Sequence, residues 1–349
     1  MNILLITQDF TPPWNNGIKS YTRGLVDCIK MIGNINIINT NSNDLTKAAF
    51  DNINFIHLVN KGGIDTFRLL NKINNHIPVL KHIITPPINK LNKILTYSFY
   101  TLNKRLKKNL IPCVSSKLIS IQYGITSEYI IPPAINTDVY KPVYIEDNTI
   151  NNILGKDLNR KHNKLILYMG PLTEDRFPYR NIIDILSYIQ SDLLIIGRGT
   201  NPGEYETFKS IIRYSENKGG NREINIFLKS LNENEKITII NYSDIIIQPF
   251  TPKLINSSNI AVDPPILILE TMSCGKCVIT SNTYSLSTII KQGYNGFIID
   301  FNDKTQLIDI LSVDDYKKIG ENARNTIIQN FSNYAVSKIL LDAYKKLSS

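Results

Sequence analysis

Short β-branched, apolar runs alternate with helix-patterned segments along nearly the whole chain, and this alternation restricts the fold more than any other feature. Strand, helix and strand in strict succession build parallel sheets joined by crossover helices. Runs at Met1–Thr7, Asn34–Thr40, Ile53–Val59, Leu80–Thr85, Leu110–Ser115 and Tyr129–Pro133 read as strands of a first sheet, with a helix from Gly17 to Met31. The series restarts with strand Lys164–Met169, helix Arg180–Ile189, strand Leu193–Ile196 and helix Glu204–Tyr214. Strand Ile224–Leu228, helix Glu233–Tyr242 and strand Asp244–Gln248 follow. Isoleucine is so frequent that periods of 2 and 3.6 blur, so element order is firmer than element boundaries. Lys141–Lys164 is polar, charged and aperiodic, and reads as a linker. At 349 residues and 42% hydrophobic content, the chain can bury two cores. Expected domains are 1–145 and 146–330. Residues 331–349 then form an amphipathic helix capped by Ser332, in a position to cross back to the first domain.

Several function classes lose support. MNILLITQDF lacks the basic start and long apolar run of a signal peptide, and no stretch of about 18 apolar residues suits a membrane span. Four cysteines make no disulfide framework and fit a reducing cytoplasm. Cys274 and Cys277 form CGKC, but a zinc site needs further ligands and none has the spacing. Gly197, Gly199 and Gly203 follow a strand, yet the third comes one residue late for a dinucleotide fingerprint. GxSxG, HExxH and Walker A are absent. Chemistry that depends on orientation and leaving-group stabilisation suits these residues better than chemistry that needs a conspicuous nucleophile.

The net charge of +9 is uneven. From Thr66 to Ser127 there is no Asp or Glu, while ten Lys and Arg residues fall there, so the rest of the chain is close to neutral. Within this stretch Leu91, Leu95, Phe99, Leu102 and Leu106 recur at helical spacing and end in the KRLKK cluster. An anionic membrane surface would attract such a basic amphipathic helix, at about 1 kcal/mol per basic residue near it. A nucleic acid backbone is a weaker candidate partner. A core-packed helix with a solvated charged face fits the pattern equally well.

One segment carries chemistry more sharply. Val262–Gly275, VDPPILILETMSCG, has only two charges, Asp263 and Glu270. Asp before two prolines predicts Asp263 as N-cap and Pro264 at the first helical position, with the helix ending near Gly275. The two acids are then separated by roughly 10 Å along the axis. Free N–H groups and the positive dipole end between them suit a diphosphate. The segment fits either a nucleotide-sugar site or a surface helix with a capping Asp and a solvated Glu.

Taken in order, the motifs resemble the large retaining glycosyltransferase family numbered four, which has the GT-B fold of two Rossmann-like α/β domains with parallel sheets facing across a cleft. VDPPILILETMSCGKCVITSN resembles that family's acid, spacer, Glu and Ala-Met-Ala-Cys-Gly stretch. The resemblance implies that Glu270 holds the nucleotide ribose and Asp263 approaches the donor sugar, although Asp263 stands one position closer to Glu270 than the usual first Glu. It also brings the turn of Pro265, Ile266 and Leu267 to the diphosphate. LILYMGPLTEDRFP resembles the family's Val-Gly-Arg-Leu loop, with Gly170 matched and Arg176 in place of the diphosphate-neutralising Lys. Pro171 replaces the partner Arg, unless Arg180 or Arg198 supplies that charge. TPPWNNGIKSYTRGL resembles the glycine loop before the first helix, with Gly17 matched and Asn16 replacing the other glycine. LLIIGRGT, with Gly197, resembles the second nucleotide-domain loop. IIPPAINTDVYKP, YSDIIIQPF and NGFIID resemble later family segments. Pro87 stands where many members carry an acceptor-cleft His, and His57 reads as either catalytic or packed.

The implied protein is a cytoplasmic, retaining, hexosyltransferase-type enzyme, peripheral on a membrane if its basic region docks there. It would move sugar from a nucleotide-diphosphate donor to a glycan, lipid-linked or protein-linked acceptor, with no metal or other cofactor. The alternative, motivated by Pro171, is a degenerate, non-catalytic GT-B protein that binds a nucleotide or polyanion.

Overall fold

A computed structural model describes residues 1–7, 10, 17–39, 52–59, 76–87, 90–106, 109–199, 202–218, 222–251, 262–283, 285–312 and 315–348. The elements in chain order begin β1 (Asn2–Thr7), α1 (Gly17–Ile32), β2 (Asn34–Asn39), β3 (Phe55–Val59), β4 (Val79–Ile83) and α2 (Lys90–Leu106). Next come β5 (Leu110–Val114), α3 (Lys117–Tyr123), β6 (Tyr129–Ile130), α4 (Asp147–Leu154), β7 (Leu165–Met169) and α5 (Tyr179–Leu186). Then follow β8 (Asp192–Gly197), α6 (Pro202–Lys218), β9 (Ile224–Leu228), α7 (Glu233–Tyr242), β10 (Ile245–Gln248) and α8 (Ile266–Ser273). The last are β11 (Cys277–Thr280), α9 (Leu286–Ile289), β12 (Phe297–Ile298), α10 (Lys304–Leu311), α11 (Tyr316–Asn330) and α12 (Asn333–Ser348). The expected elements appear in the expected order, with ends moved by up to four residues. The exception is Lys141–Lys164, which contains α4, a helix of only two turns that buries Ile150 and whose short apolar face gave no visible period.

The chain divides into two compact units. The first comprises Met1–Asn136, Ser257–Ile266 and Gln329–Ser349, and the second Thr137–Asn256 and Leu267–Ile328. Each holds one parallel six-stranded sheet, ordered β2-β1-β3-β4-β5-β6 in the first and β12-β11-β10-β7-β8-β9 in the second. In the first, Leu5 stands opposite Ile37 on one side and His57 on the other. In the second, Leu167 pairs with Leu194 and Ile246.

Strands β3, β4, β7, β8 and β10 are buried at every position, as parallel strands covered on both faces must be. This explains the continuous Ile and Leu runs. In the second unit Ile166, Tyr168, Ile195, Ile245 and Ile279 form the core with Phe177 and Ile182. In the first, Leu4, Ile6, Ile56, Leu58 and Val79 pack with Ile119. Helix α12 packs on α1, and Ser332 caps it by accepting from the Ala335 N–H at 3.1 Å.

Candidate nucleotide-sugar site

In the second unit, β7 has β8 on one side and β10 on the other, so strand order reverses between β7 and β10. Open α/β sheets take ligands outside the carboxyl ends of the strands at such a reversal. The loop after β7 is firmly built. The Gly170 N–H donates to Ile196 O at 3.1 Å, and the Tyr168 hydroxyl donates to Pro171 O at 2.7 Å. Phe177, fully buried, stacks on Tyr168 with ring centroids 4.1 Å apart. Thr251 donates to Asp175 O through both its N–H and hydroxyl, at 3.0 Å each. Arg176 is thereby held half-buried between two pinned neighbours. Burial lowers its guanidinium pKa, and the nearby Arg198 charge adds to that, while Tyr168, Asp175 and Glu204 oppose it. Two cations therefore share this corner. Arg180 is elsewhere engaged, pairing with Glu174 at 2.8 Å on the exposed surface.

Gly197, at the end of β8, is buried, and a Cβ there would stand 2.6 Å from Leu172 and 2.7 Å from Leu228. Close packing of the loop onto the strand accounts for this glycine. Gly275 ends the turn after α8 at φ +70°, where only a residue without a side chain is unstrained.

Helix α8 begins at Ile266, not at Pro264, so the expected N-cap role of Asp263 does not hold. A residue before proline is pushed out of the α region, and here Asp263 and Pro264 both precede one. The helix can start only after Pro265, which is buried with Ile266, while Leu267 is half-buried. Asp263 is fully buried in the first unit, with its Oδ2 accepting from the Ser116 hydroxyl at 2.5 Å. Its N–H donates to Ile84 O at 2.9 Å, and its carbonyl accepts from Ser115 at 2.5 Å. Asp263 thus sits at the carboxyl ends of β4 and β5. Ser116 also caps α3, accepting from the Ile119 N–H.

Glu270 belongs to the second unit and is 4% exposed, which removes the solvated-surface alternative. Lys236 Nζ on α7 donates to Glu270 Oε1 at 2.7 Å. The same ammonium lies 5.0 Å over the Tyr140 ring. Burial, with the Glu270 and Glu233 charges, drives the Tyr140 phenol far above its usual pKa, so it stays protonated and donates to Glu233 Oε1 at 3.1 Å. Sequence reasoning named Tyr140 only as part of a family segment and missed Lys236, which no motif marks.

In the first unit Gly17 opens α1, and the preceding Thr11–Asn16 lies outside the described residues. His57 is packed. Tyr344, His57, His82 and Tyr21 form a buried hydrogen-bonded chain that ends on Ile131 O. The Cys274 and Cys277 thiols are pushed up to about 12 by burial, so neither is a thiolate at neutral pH. A cavity of about 500 Å³ opens at the amino-terminal edge of the second sheet, beside Lys161 and Lys164. Its cations are engaged, Lys161 with Glu223 at 3.1 Å and Lys164 with Leu311 O at 2.8 Å, and none of the site residues line it.

The family model for glycosyl transferases group 1 matches residues 151–326, which span β7, Arg176, Lys236 and Glu270. The chain belongs to that family. In fold, this group 1 glycosyltransferase is similar to a glycosyltransferase from Rickettsia africae, with a TM-score of 0.71 and 19% identity over 100% of this chain and 98% of the other. It is similar also to a sucrose-phosphate synthase from Thermosynechococcus elongatus, with a TM-score of 0.72 and 15% identity over 99% and 98%. A third similar structure is Anabaena HepE in complex with UDP-glucose, with a TM-score of 0.69 and 15% identity over 99% and 100%. No curated protein matches the chain in sequence. The fold of this group 1 glycosyltransferase is therefore GT-B.

Proposed function

We propose that this group 1 glycosyltransferase is a retaining enzyme of family four that moves a hexose from a nucleoside diphosphate sugar to a glycan or lipid-linked acceptor. The observation that carries the reading is Glu270, a buried carboxylate held by Lys236 in the unit whose sheet reverses strand order between β7 and β10. In this reading Glu270 accepts hydrogen bonds from the ribose hydroxyls. Arg176 and Arg198 flank the diphosphate with the first turn of α8 at Pro265, Ile266 and Leu267, and Gly17 lets backbone approach it. Arg198 then stands in for the cation that Pro171 removes. Asp263, oriented by Ser116, serves the donor sugar.

The sugar C1–O bond to the phosphate breaks with its electron pair on the departing nucleoside diphosphate, a bond from C1 to the acceptor oxygen forms on the same face, and the acceptor proton passes to the departing phosphate oxygen. The cations stabilise the departing diphosphate, so no metal or other cofactor is required. Anabaena HepE is described with UDP and UDP-glucose, which makes UDP-glucose the first donor to try. The test is incubation of UDP-, GDP- and ADP-sugars with glycan and lipid-linked acceptors, with product anomers read by NMR. Transfer with retained configuration supports the reading. Inverted product removes the retaining mechanism. Nucleotide binding without transfer would establish the non-catalytic alternative that Pro171 motivates.

We also propose that the protein is peripheral on an anionic membrane surface, docked through α2. Leu91, Ile94, Leu95 and Leu102 fall in one arc of the helix and are 51–63% exposed, while Asn92 and Tyr100 occupy the packed face. The exposed Lys90 borders that apolar arc, the exposed Lys93 lies behind it, and no acid lies between Thr66 and Ser127. Apolar insertion with basic flanks matches anionic lipid rather than another protein surface. No helix among the described residues is long and apolar enough to cross a membrane. Flotation with phosphatidylserine-containing vesicles should recover the protein at low salt and release it at high salt. Equal recovery with neutral vesicles, or an unchanged yield in Leu91→Asp/Leu95→Asp, excludes this docking.

A further inference from the structure

We infer that Lys236 is a positioning residue for Glu270: its ammonium fixes one carboxylate oxygen so that the other is presented to the vicinal hydroxyls of a nucleotide ribose. The inference rests on the proposed ribose role of Glu270 and assigns a residue that no motif marks.

The first turn of α7 is unusually well anchored. Asn232 and Glu235 form a reciprocal capping box, with Glu235 N–H to Asn232 Oδ1 at 3.0 Å and Asn232 N–H to Glu235 Oε2 at 2.9 Å. Lys229 pairs with Glu235 at 3.1 Å. Lys236 lies one turn after Glu233 on this fixed platform, so both side chains leave from the same face. Its ammonium is gripped from two sides, by Glu270 Oε1 at 2.7 Å and by the Tyr140 ring at 5.0 Å.

Tyr140 is itself tied to the helix that carries Glu270. Its carbonyl accepts from the Ser273 hydroxyl at 2.6 Å and from Arg324 at 3.1 Å, and Arg324 also reaches Ser273 O. The hydroxyl end of the ring is held by Glu233 at 3.1 Å. Two helices and the Tyr140 segment therefore agree on a single place for the ammonium. The ammonium offsets the cost of burying this carboxylate, whose two oxygens both accept hydrogen bonds. Lys236 and the Tyr140 hydroxyl both bear on this carboxylate, and its remaining lone pairs are the ones left for the sugar.

The test compares wild type with Lys236→Met, Lys236→Arg and Lys236→Gln. Calorimetry measures UDP, GDP and ADP against their 2′-deoxy analogues, beside thermal melts. Wild type should prefer the ribose form of its tightest nucleotide by about tenfold or more, the value of a hydrogen bond to a charged group. In Lys236→Met that preference should fall towards unity, because the carboxylate loses the ammonium that fixes it. Lys236→Arg should keep most of it.

A purely structural role would weaken both nucleotides together and leave their ratio untouched. A folded Lys236→Met that keeps the wild-type ratio therefore overturns the inference while the ribose role of Glu270 stands. Should that variant not fold, Lys236→Gln is read in the same way. If wild type binds ribose and deoxyribose forms equally, or binds none, the role of Glu270 falls and that of Lys236 with it.

Discussion

The two units share one architecture but use buried polar groups in opposite ways. In the first, Tyr344 donates to His57, His57 to His82, His82 to Tyr21, and Tyr21 to Ile131 O. Each link uses one proton and one lone pair if both histidines are neutral, so the chain closes on itself and leaves nothing for a ligand. In the second, charges meet charges. Lys236 meets Glu270 there, and Arg176 feels Arg198. A satisfied neutral network stabilises a fold, whereas charged groups held close together can exchange a partner for an anion.

The largest effect that sharpens this contrast is expected at the cation pair. Arg176→Ala/Arg198→Ala should lower kcat/KM by about 10²–10³, the scale for losing donors that act on developing charge. Its melting temperature should stay near wild type, since Arg176 is half-buried and Arg198 exposed. A rate within threefold of wild type would show that the second unit does not use these cations, and the contrast would fail. His57→Phe should behave in the opposite way. It strands the Tyr344 hydroxyl and a His82 nitrogen in the core, at about 1–3 kcal/mol each, and should leave nucleotide affinity unchanged. A large loss of affinity in a folded variant would return His57 to a functional role.

What the sequence made legible follows the same division. Element order was readable because a strand covered on both faces is continuously apolar, even though the same property hid its ends. Glu270 was readable because a lone carboxylate among ILIL and TMS residues is out of place unless something meets it. Its partners were not, since Lys236 lies 34 residues away and on no pattern. His57 carried two readings because its neighbours His82 and Tyr344 lie 25 and 287 residues off. The start of α8 was misread because proline favours the first helical position, yet a second proline forbids the first from being helical. In α2 the apolar period marked the helix correctly, but periodicity does not say whether a stripe faces core or solvent.

The pH dependence of stability is the next smaller effect. Burial lowers the His57 pKa to about 3, and lowers His82 further below its usual value, with His57 and Lys81 adding to the shift. The unfolded chain takes up these protons near pH 6.5 and the folded chain does not, so stability is full above that pH and falls below it. Each histidine should remove about 1.4 kcal/mol per pH unit on the way down. Lys81, lowered to about 7 by burial, has the same sign at higher pH, because the unfolded chain still holds its proton between about 7 and 10.5. Denaturant midpoints should therefore rise from pH 5 to pH 9, with His57→Gln flattening the acid limb. A flat acid limb in wild type would mean that the histidine chain is charged or open.

The smallest expected effect is that of a chelator on sugar transfer. A departing diphosphate needs positive charge, and many active sites supply it with a divalent ion. In the proposed site Arg176 and Arg198 supply that charge. A divalent ion entering the same corner would be repelled by both guanidiniums. EDTA should therefore change the rate by less than about twofold in wild type, against the much larger loss from the double arginine variant. Abolished activity that magnesium restores would show that the arginines do not suffice, and would break the second half of the comparison without touching the first.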